Sequence, residues 1–156
     1  MYLTIKLLHI AAVILFLCNI ITGLFWHAHA ARSREAALLA HAMQGIIRSD
    51  RLFTIPGVVV LVLAGLALAV LGHWPILRTR WIAGTLALLA LSGLFFAFRV
   101  APLQRRLLAM AADGARSGNF DYGRYRLLAR DWELWGAAAL LTPVAGLVLM
   151  VLKPAL

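Results

Sequence analysis

The chain has one cysteine, Cys18, and only six acidic residues against fifteen lysines and arginines. A lone cysteine inside an apolar run excludes a disulfide framework and reads as a small packing residue. Charged residues make up 13% of the sequence and hydrophobic ones 63%. Soluble domains carry about 25% and 45–50%, so this balance excludes an ordinary soluble domain. No Gly-rich phosphate loop, paired catalytic carboxylates or nucleophile triad stands out, so no motif supports an enzyme. Internal repeats and low-complexity segments are absent too. The formal charge of +9 does not call for nucleic acid, because the basic residues sit between apolar runs, where membrane topology accounts for them.

What the chain does have is four long apolar runs. The first, Thr4 to Trp26, exceeds the ~20 residues needed to cross a bilayer. It imitates a signal peptide, with Lys6 as a charged start and Ala28-His29-Ala30 after it. It is longer than the usual h-region of about 7–15 residues, and arginines follow it, so it is expected to remain uncut. The others are 53–72, 81–100 and 132–152. Thr54 is placed to cap the second run, with Pro56 in its first turn. Pro102 discourages a straight continuation of the third. Pro143 is expected to bend the fourth, since it frees the Ala139 carbonyl. All five tryptophans fall at or beside span ends, as in aromatic interface belts. The expectation is an all-α integral membrane four-helix bundle, a single membrane domain over 1–156. Gly65-x-x-x-Ala69 and Ala83-x-x-x-Ala87 would let helices approach closely.

The arginines set the orientation. The first connection carries Arg32, Arg34, Arg48 and Arg51. The third carries Arg105, Arg106, Arg116, Arg124, Arg126 and Arg130, with Arg99 at its edge. The second carries only Arg78 and Arg80. In a bacterial inner membrane the positive-inside rule then places both termini outside, N-out and C-out. Anionic headgroups at the cytoplasmic face are the expected counter-charge. Leu38, Leu39, Ala42, Met43, Ile46 and Ile47 recur at helical spacing. This amphipathic stretch is expected either to lie on the membrane surface or to prolong the first span. Leu103, Leu107 and Leu108 make a similar stripe ending near Gly114. Ser117-Gly118-Asn119 reads as a turn, and Asn119 or Asp121 as the cap of the next helix.

KLLHIAAV at 6–13, TGLFW at 22–26, IIRSDRLFTIPGV at 46–58, RVAPLQRRL at 99–107, WELWG at 132–136 and VLMVLKP at 148–154 together resemble the predicted integral membrane proteins of domain of unknown function DUF2269. The resemblance spans nearly the whole chain and implies location but no reaction. More distantly, Lys6-x-x-His9 on the first of four spans is similar to the copper-resistance D and protoporphyrinogen-oxidase J membrane proteins. In that group a first-helix histidine is associated with haem b, which carries over to His9 alone.

On a helical wheel Lys6, His9, Phe16, Ile20, Gly23 and His27 fall within about 100° of one another, with Asn19 beside them. That edge should face the other helices. His9 has two readings: a metal or haem ligand through neutral imidazole, or a buried histidine bonded to a carbonyl of another span. Lys6 either meets a haem propionate or snorkels to the headgroups. His73, at the end of the second span, is the candidate second ligand, or an interfacial histidine. His27, His29 and His41 cluster near the expected cytoplasmic face and read as a metal site or as solvated surface histidines; in a helix His27 and His29 point about 160° apart, which suits chelation poorly. Asp50, Arg51, Arg99 and Glu133 approach the inner boundary. With Asn19 they form a polar network or proton entry point, or simple charge pairing that fixes helix ends. Three functions remain open: a haem-b protein passing electrons, a non-catalytic membrane subunit or scaffold, and a small transporter or ion pathway. A membrane-protein partner or a second copy of the chain is compatible with each.

Overall fold

A computed structural model describes residues 1–154, so residues 155 and 156 of the expected domain 1–156 lie outside the described part. The protein is all-α. Its helices are α1 (Tyr2–Ala31), α2 (Ala36–Ser49), α3 (Ile55–Leu71), α4 (Arg80–Phe95), α5 (Ala101–Ser117) and α6 (Tyr122–Leu152). A π-helical turn, Asp50–Thr54, joins α2 to α3, and a second, Phe96–Val100, joins α4 to α5. The chain therefore forms four continuous rods, 2–31, 36–71, 80–117 and 122–152, each long and apolar enough to cross a membrane.

The sequence expectation breaks at those two joints. Thr54 does not cap a helix start: its backbone is helical and its hydroxyl donates to the Asp50 carboxylate. Pro56 and Pro102 each follow a π-turn by two residues. In each turn the next amide reaches back five residues, Ile55 N–H to Asp50 O and Ala101 N–H to Phe96 O. The wider turn carries the rod past a proline whose missing N–H would otherwise break the ladder. The amphipathic stretch of α2 thus prolongs the second span, not the first, and is not a surface helix.

At 1.5 Å per residue the 36- and 38-residue rods are roughly 54 and 57 Å long, against a hydrocarbon core of about 30 Å. The surplus, α2 and α5, packs together and against the ends of α1 and α6. Leu39 and Met43 of α2, Leu107 and Ala111 of α5, and Tyr125 and Ala129 of α6 are all completely buried there. These amphipathic faces close a core of their own, which explains why so many arginines can ride on the outside of one end. Asp121 is the residue that caps α6, accepting from Arg124 N–H at 2.9 Å. Gly118, at φ +69°, ends α5 in the left-handed conformation that glycine adopts most readily.

Elsewhere the bundle is two pairs. α1 packs along α3 and α4 along α6, while α3 makes no extended contact with α4 or α6. The seam of the first pair is Gly57 against Ala12 and Phe16, and Gly65 against His9. In the second, Gly84 meets Leu149 and Gly146 meets Thr85. Ala87, expected in this seam, is exposed. α6 runs unbroken through Pro143 because the freed Ala139 carbonyl finds a donor on α4, the Ser92 hydroxyl at 2.6 Å. Ser92→Ala should therefore cost about 1–2 kcal/mol, measured by unfolding in mixed micelles. In a Pro143→Ala background, where residue 143 supplies its own N–H, the cost should mostly vanish.

The tryptophans divide. Trp74 and Trp81 stack edge to face beside the Lys153 ammonium at the end bearing the termini. At the other end Trp26 is exposed and Trp135 sits under Arg99. Trp132 is 2% exposed and belongs to the core instead of an interface belt.

Candidate functional site

The inner face of α1 organises the polar residues. Ala12, Phe16, Gly23 and His27 are its buried positions, and His9 and Asn19 lie on the same stripe. Three stations result.

The first station, toward the end bearing the termini, is His9. Its Nδ1 lies 2.9 Å from Leu61 O. A carbonyl only accepts, so Nδ1 carries a proton and donates it, and Nε2 is the nitrogen left outside this bond. The ring lies over Gly65, where an added Cβ would come within 2.9 Å of Cε1. A side chain at 65 would displace the imidazole. His73 is exposed in the turn after α3, about two helical turns beyond Gly65, and adopts φ +56°. Lys6 is exposed one turn above His9. Among the described residues no group of three or more His, Cys, Asp or Glu is placed to hold a metal ion.

The middle station is Asp50, 7% exposed. Its Oδ1 accepts from Thr54 Oγ1 at 2.9 Å and Asn19 Nδ2 at 3.2 Å, and its Oδ2 from Gln104 Nε2 at 2.8 Å. Asn19 Nδ2 also donates to Thr54 Oγ1 at 2.8 Å. Three rods thus converge on one carboxylate, with neutral donors and no basic partner. Asn19 fixes the depth of this station: it sits seven residues inside Trp26, roughly 10 Å along α1. Asp50 is therefore brought level with the apolar run of α1, although the exposed Arg51 beside it marks a boundary position in its own rod.

The third station, toward the arginine-rich end, is His27, expected on the solvated surface and instead fully buried. Its Nε2 lies 3.0 Å from Tyr125 Oη and its ring packs edge-on to Trp132 at 4.8 Å. Nδ1, buried without a hydrogen bond, lies 3.5 Å from Glu133 Oε1; a ring proton there faces the carboxylate and leaves Nε2 to accept from the tyrosine hydroxyl. Arg126 donates to that same carboxylate oxygen. Trp132 Nε1 is buried without a partner.

The five network residues of the sequence reading do not come together as one group. Asn19 and Asp50 meet. Glu133 instead pairs with Arg126, Arg99 lies over the Trp135 ring at 4.9 Å, and Arg51 is exposed. Charge pairing accounts for Glu133 but not for Asp50. Gln104, Thr54 as a side-chain donor, Tyr125 and Arg126 were missed. Gln104 was detectable in principle, since it lies three residues before Leu107 and seven before Ala111 on the buried face of α5.

Beside the His27 station an open groove of about 620 Å³ runs between the end of α1 and the start of α6. Leu24, Ala28 and Ala31 form one wall, and Arg32, Arg34, Tyr122, Arg126 and Glu133 the rest.

Neither a curated protein nor a solved structure matches the chain. A family model described as a predicted integral membrane protein (DUF2269) matches residues 3–154. With that match and four helices able to cross a membrane, the chain belongs to the DUF2269 family of predicted integral membrane proteins.

Proposed function

We propose that the protein is a small polytopic inner-membrane protein, N-out and C-out, that carries a proton through an ion pathway centred on Asp50. The observation that carries this reading is a buried carboxylate, level with the apolar run of α1, held by Asn19, Thr54 and Gln104 with no cation beside it among the described residues. Intramembrane acids in such surroundings mark ion paths and proton relays. A π-turn at the same residue fits a working site. The three donors suit the anionic carboxylate. Once protonated, Asp50 itself donates, and an acceptor must turn toward it, either the Thr54 hydroxyl or an amide that rotates to offer its oxygen. If that amide is Gln104, the proton changes the α2–α5 contact. His9 and His27 are stations ten residues before and eight after Asn19, roughly 15 and 12 Å away along α1. Those steps exceed a hydrogen bond, so water or movement must bridge them.

The test is proteoliposomes loaded with a pH-sensitive dye, given a pH step with the membrane potential clamped. Wild type and Asp131→Asn, an exposed acid, should relax the gradient faster than empty vesicles. Asp50→Asn should relax it at the empty-vesicle rate. A wild type no faster than empty vesicles removes this reading, and the non-catalytic subunit or scaffold then stands first.

One observation favours a second reading, haem b held by His9. A histidine that donates Nδ1–H to a backbone carbonyl presents Nε2 in the manner of oriented metal ligands. Haem would supply one-electron transfer. The geometry supports a single protein ligand, because His73 points from an exposed turn and His27 lies eighteen residues down α1. Protein produced with ample haem and purified colourless would remove this reading.

A further inference from the structure

We propose that the groove between α1 and α6 is a binding site for the phosphate of an anionic phospholipid. Its make-up changes along its length as a lipid does. Leu24 lies in the last turn of the apolar run, and Ala28 continues the same wall one turn on. Arg32 and Arg34, from the turn between α1 and α2, and Arg126, from α6, supply the cationic end. Three guanidinium groups face one carboxylate, Glu133, which leaves an excess of two positive charges. A phosphodiester with no compensating ammonium matches that excess. A zwitterionic headgroup brings a cation that the same arginines repel.

The cationic end is positioned before any ligand arrives. The Arg34 guanidinium lies 5.5 Å from the Tyr122 ring centroid, and the Tyr122 hydroxyl donates to Ala31 O at 2.9 Å. Arg34 itself adopts φ +56°, a left-handed backbone that a non-glycine residue holds only when its surroundings impose it. The turn is thereby tied to α6 and aims Arg34 at the groove. The Arg126–Glu133 contact fixes the opposite wall and connects it to the buried His27 station. A lipid seated here would contact both halves of the chain at the place where they join.

The experiment is native mass spectrometry of the full chain from detergent, titrated with dioleoyl phosphatidylglycerol or dioleoyl phosphatidylcholine. Wild type should retain a single phosphatidylglycerol and no phosphatidylcholine. Arg32→Gln with Arg34→Gln should weaken retention about 30-fold, about 1 kcal/mol for each arginine removed. The control removes equal charge elsewhere at the same end, Arg105→Gln with Arg106→Gln, both exposed on α5, and should bind as wild type does. Equal loss in the control would reduce the effect to net charge and overturn the site. So would equal retention of the two lipids by wild type. Displacement of the lipid by millimolar inorganic phosphate would also overturn it, showing a free-phosphate site in place of a lipid one.

Discussion

Tyr125→Ala should lower stability by about 3–5 kcal/mol, the largest effect expected of any single substitution in the chain. Tyr125 is completely buried where α1, α2, α5 and α6 meet, with Phe120 at 5.5 Å and His27 at 6.0 Å between ring centroids. Truncation opens a cavity in the one part of the molecule whose packing is driven by water. It also strips His27 Nε2 of its donor in a site with no solvent. Tyr125→Phe removes the hydroxyl alone and should cost about 1–3 kcal/mol, the range for orphaning a buried polar group. Leu134→Ala is the contrast. Leu134 is 67% exposed and points away from the bundle, and lipid tails are as apolar as leucine, so its loss should change little. Reversible unfolding in mixed micelles of graded denaturing-detergent content gives all three values. A neutral Tyr125→Phe would mean that the hydroxyl is not what satisfies His27.

The second large effect is expected at Asp50. Asp50→Ala leaves the Thr54 hydroxyl and the Gln104 amide without the acceptor they had, while Asn19 keeps only its bond to Thr54. At roughly 1 kcal/mol or more each, less the relief of no longer burying a carboxylate, the net loss should be about 2–4 kcal/mol. Asp50→Asn retains one acceptor oxygen and should lose less than half of that, although it ends proton carriage under the proposal above. Replacing both ends of the α2–α5 bond, Asp50→Leu with Gln104→Leu, should recover much of the loss, because two apolar groups of similar size leave fewer orphans. The same micelle unfolding separates these outcomes. A double variant worse than Asp50→Ala would show that Asn19 and Thr54, not Gln104, dominate the network.

Four apolar runs and their turns were legible because burial in lipid demands long unbroken apolar stretches, and these are visible without knowing any partner. The α1 stripe was legible for the same reason: its polar and small residues recur with helical period. The π-turns were not. Pro56 and Pro102 occur where prolines ordinarily open helices, and nothing local distinguishes an opening from a bulge that lets a rod pass through. That error displaced α2, which was assigned to the surface or to the first span. His27 was misjudged because it sits between Trp26 and Arg32, an interfacial neighbourhood by composition. Its burial depends on α6 beginning some three turns before the apolar run at 132–152, which brings Tyr125 and Trp132 against it. Asp50 was seen as a candidate, but its partners come from positions 19, 54 and 104, and Gln104 could be named only once α2 and α5 were known to pair.

The pattern of hydrogen bonds has a consequence for biogenesis. Residues 1–72 form one hairpin and 80–152 another. Inside the first, His9 is already satisfied by Leu61, and Asn19 by Asp50 and Thr54. Inside the second, Ser92 is satisfied by Ala139 and Thr85 by Gly146. Each hairpin can therefore leave the translocon with these polar groups closed upon itself and wait in lipid without its sister. The bonds that cross between them, Gln104 to Asp50, Tyr125 to His27 and Tyr122 to Ala31, all lie toward the arginine-rich end. Assembly then resembles closing a clasp from one side of the membrane, and a chain nicked in the 73–79 turn has what it needs to close it from two pieces.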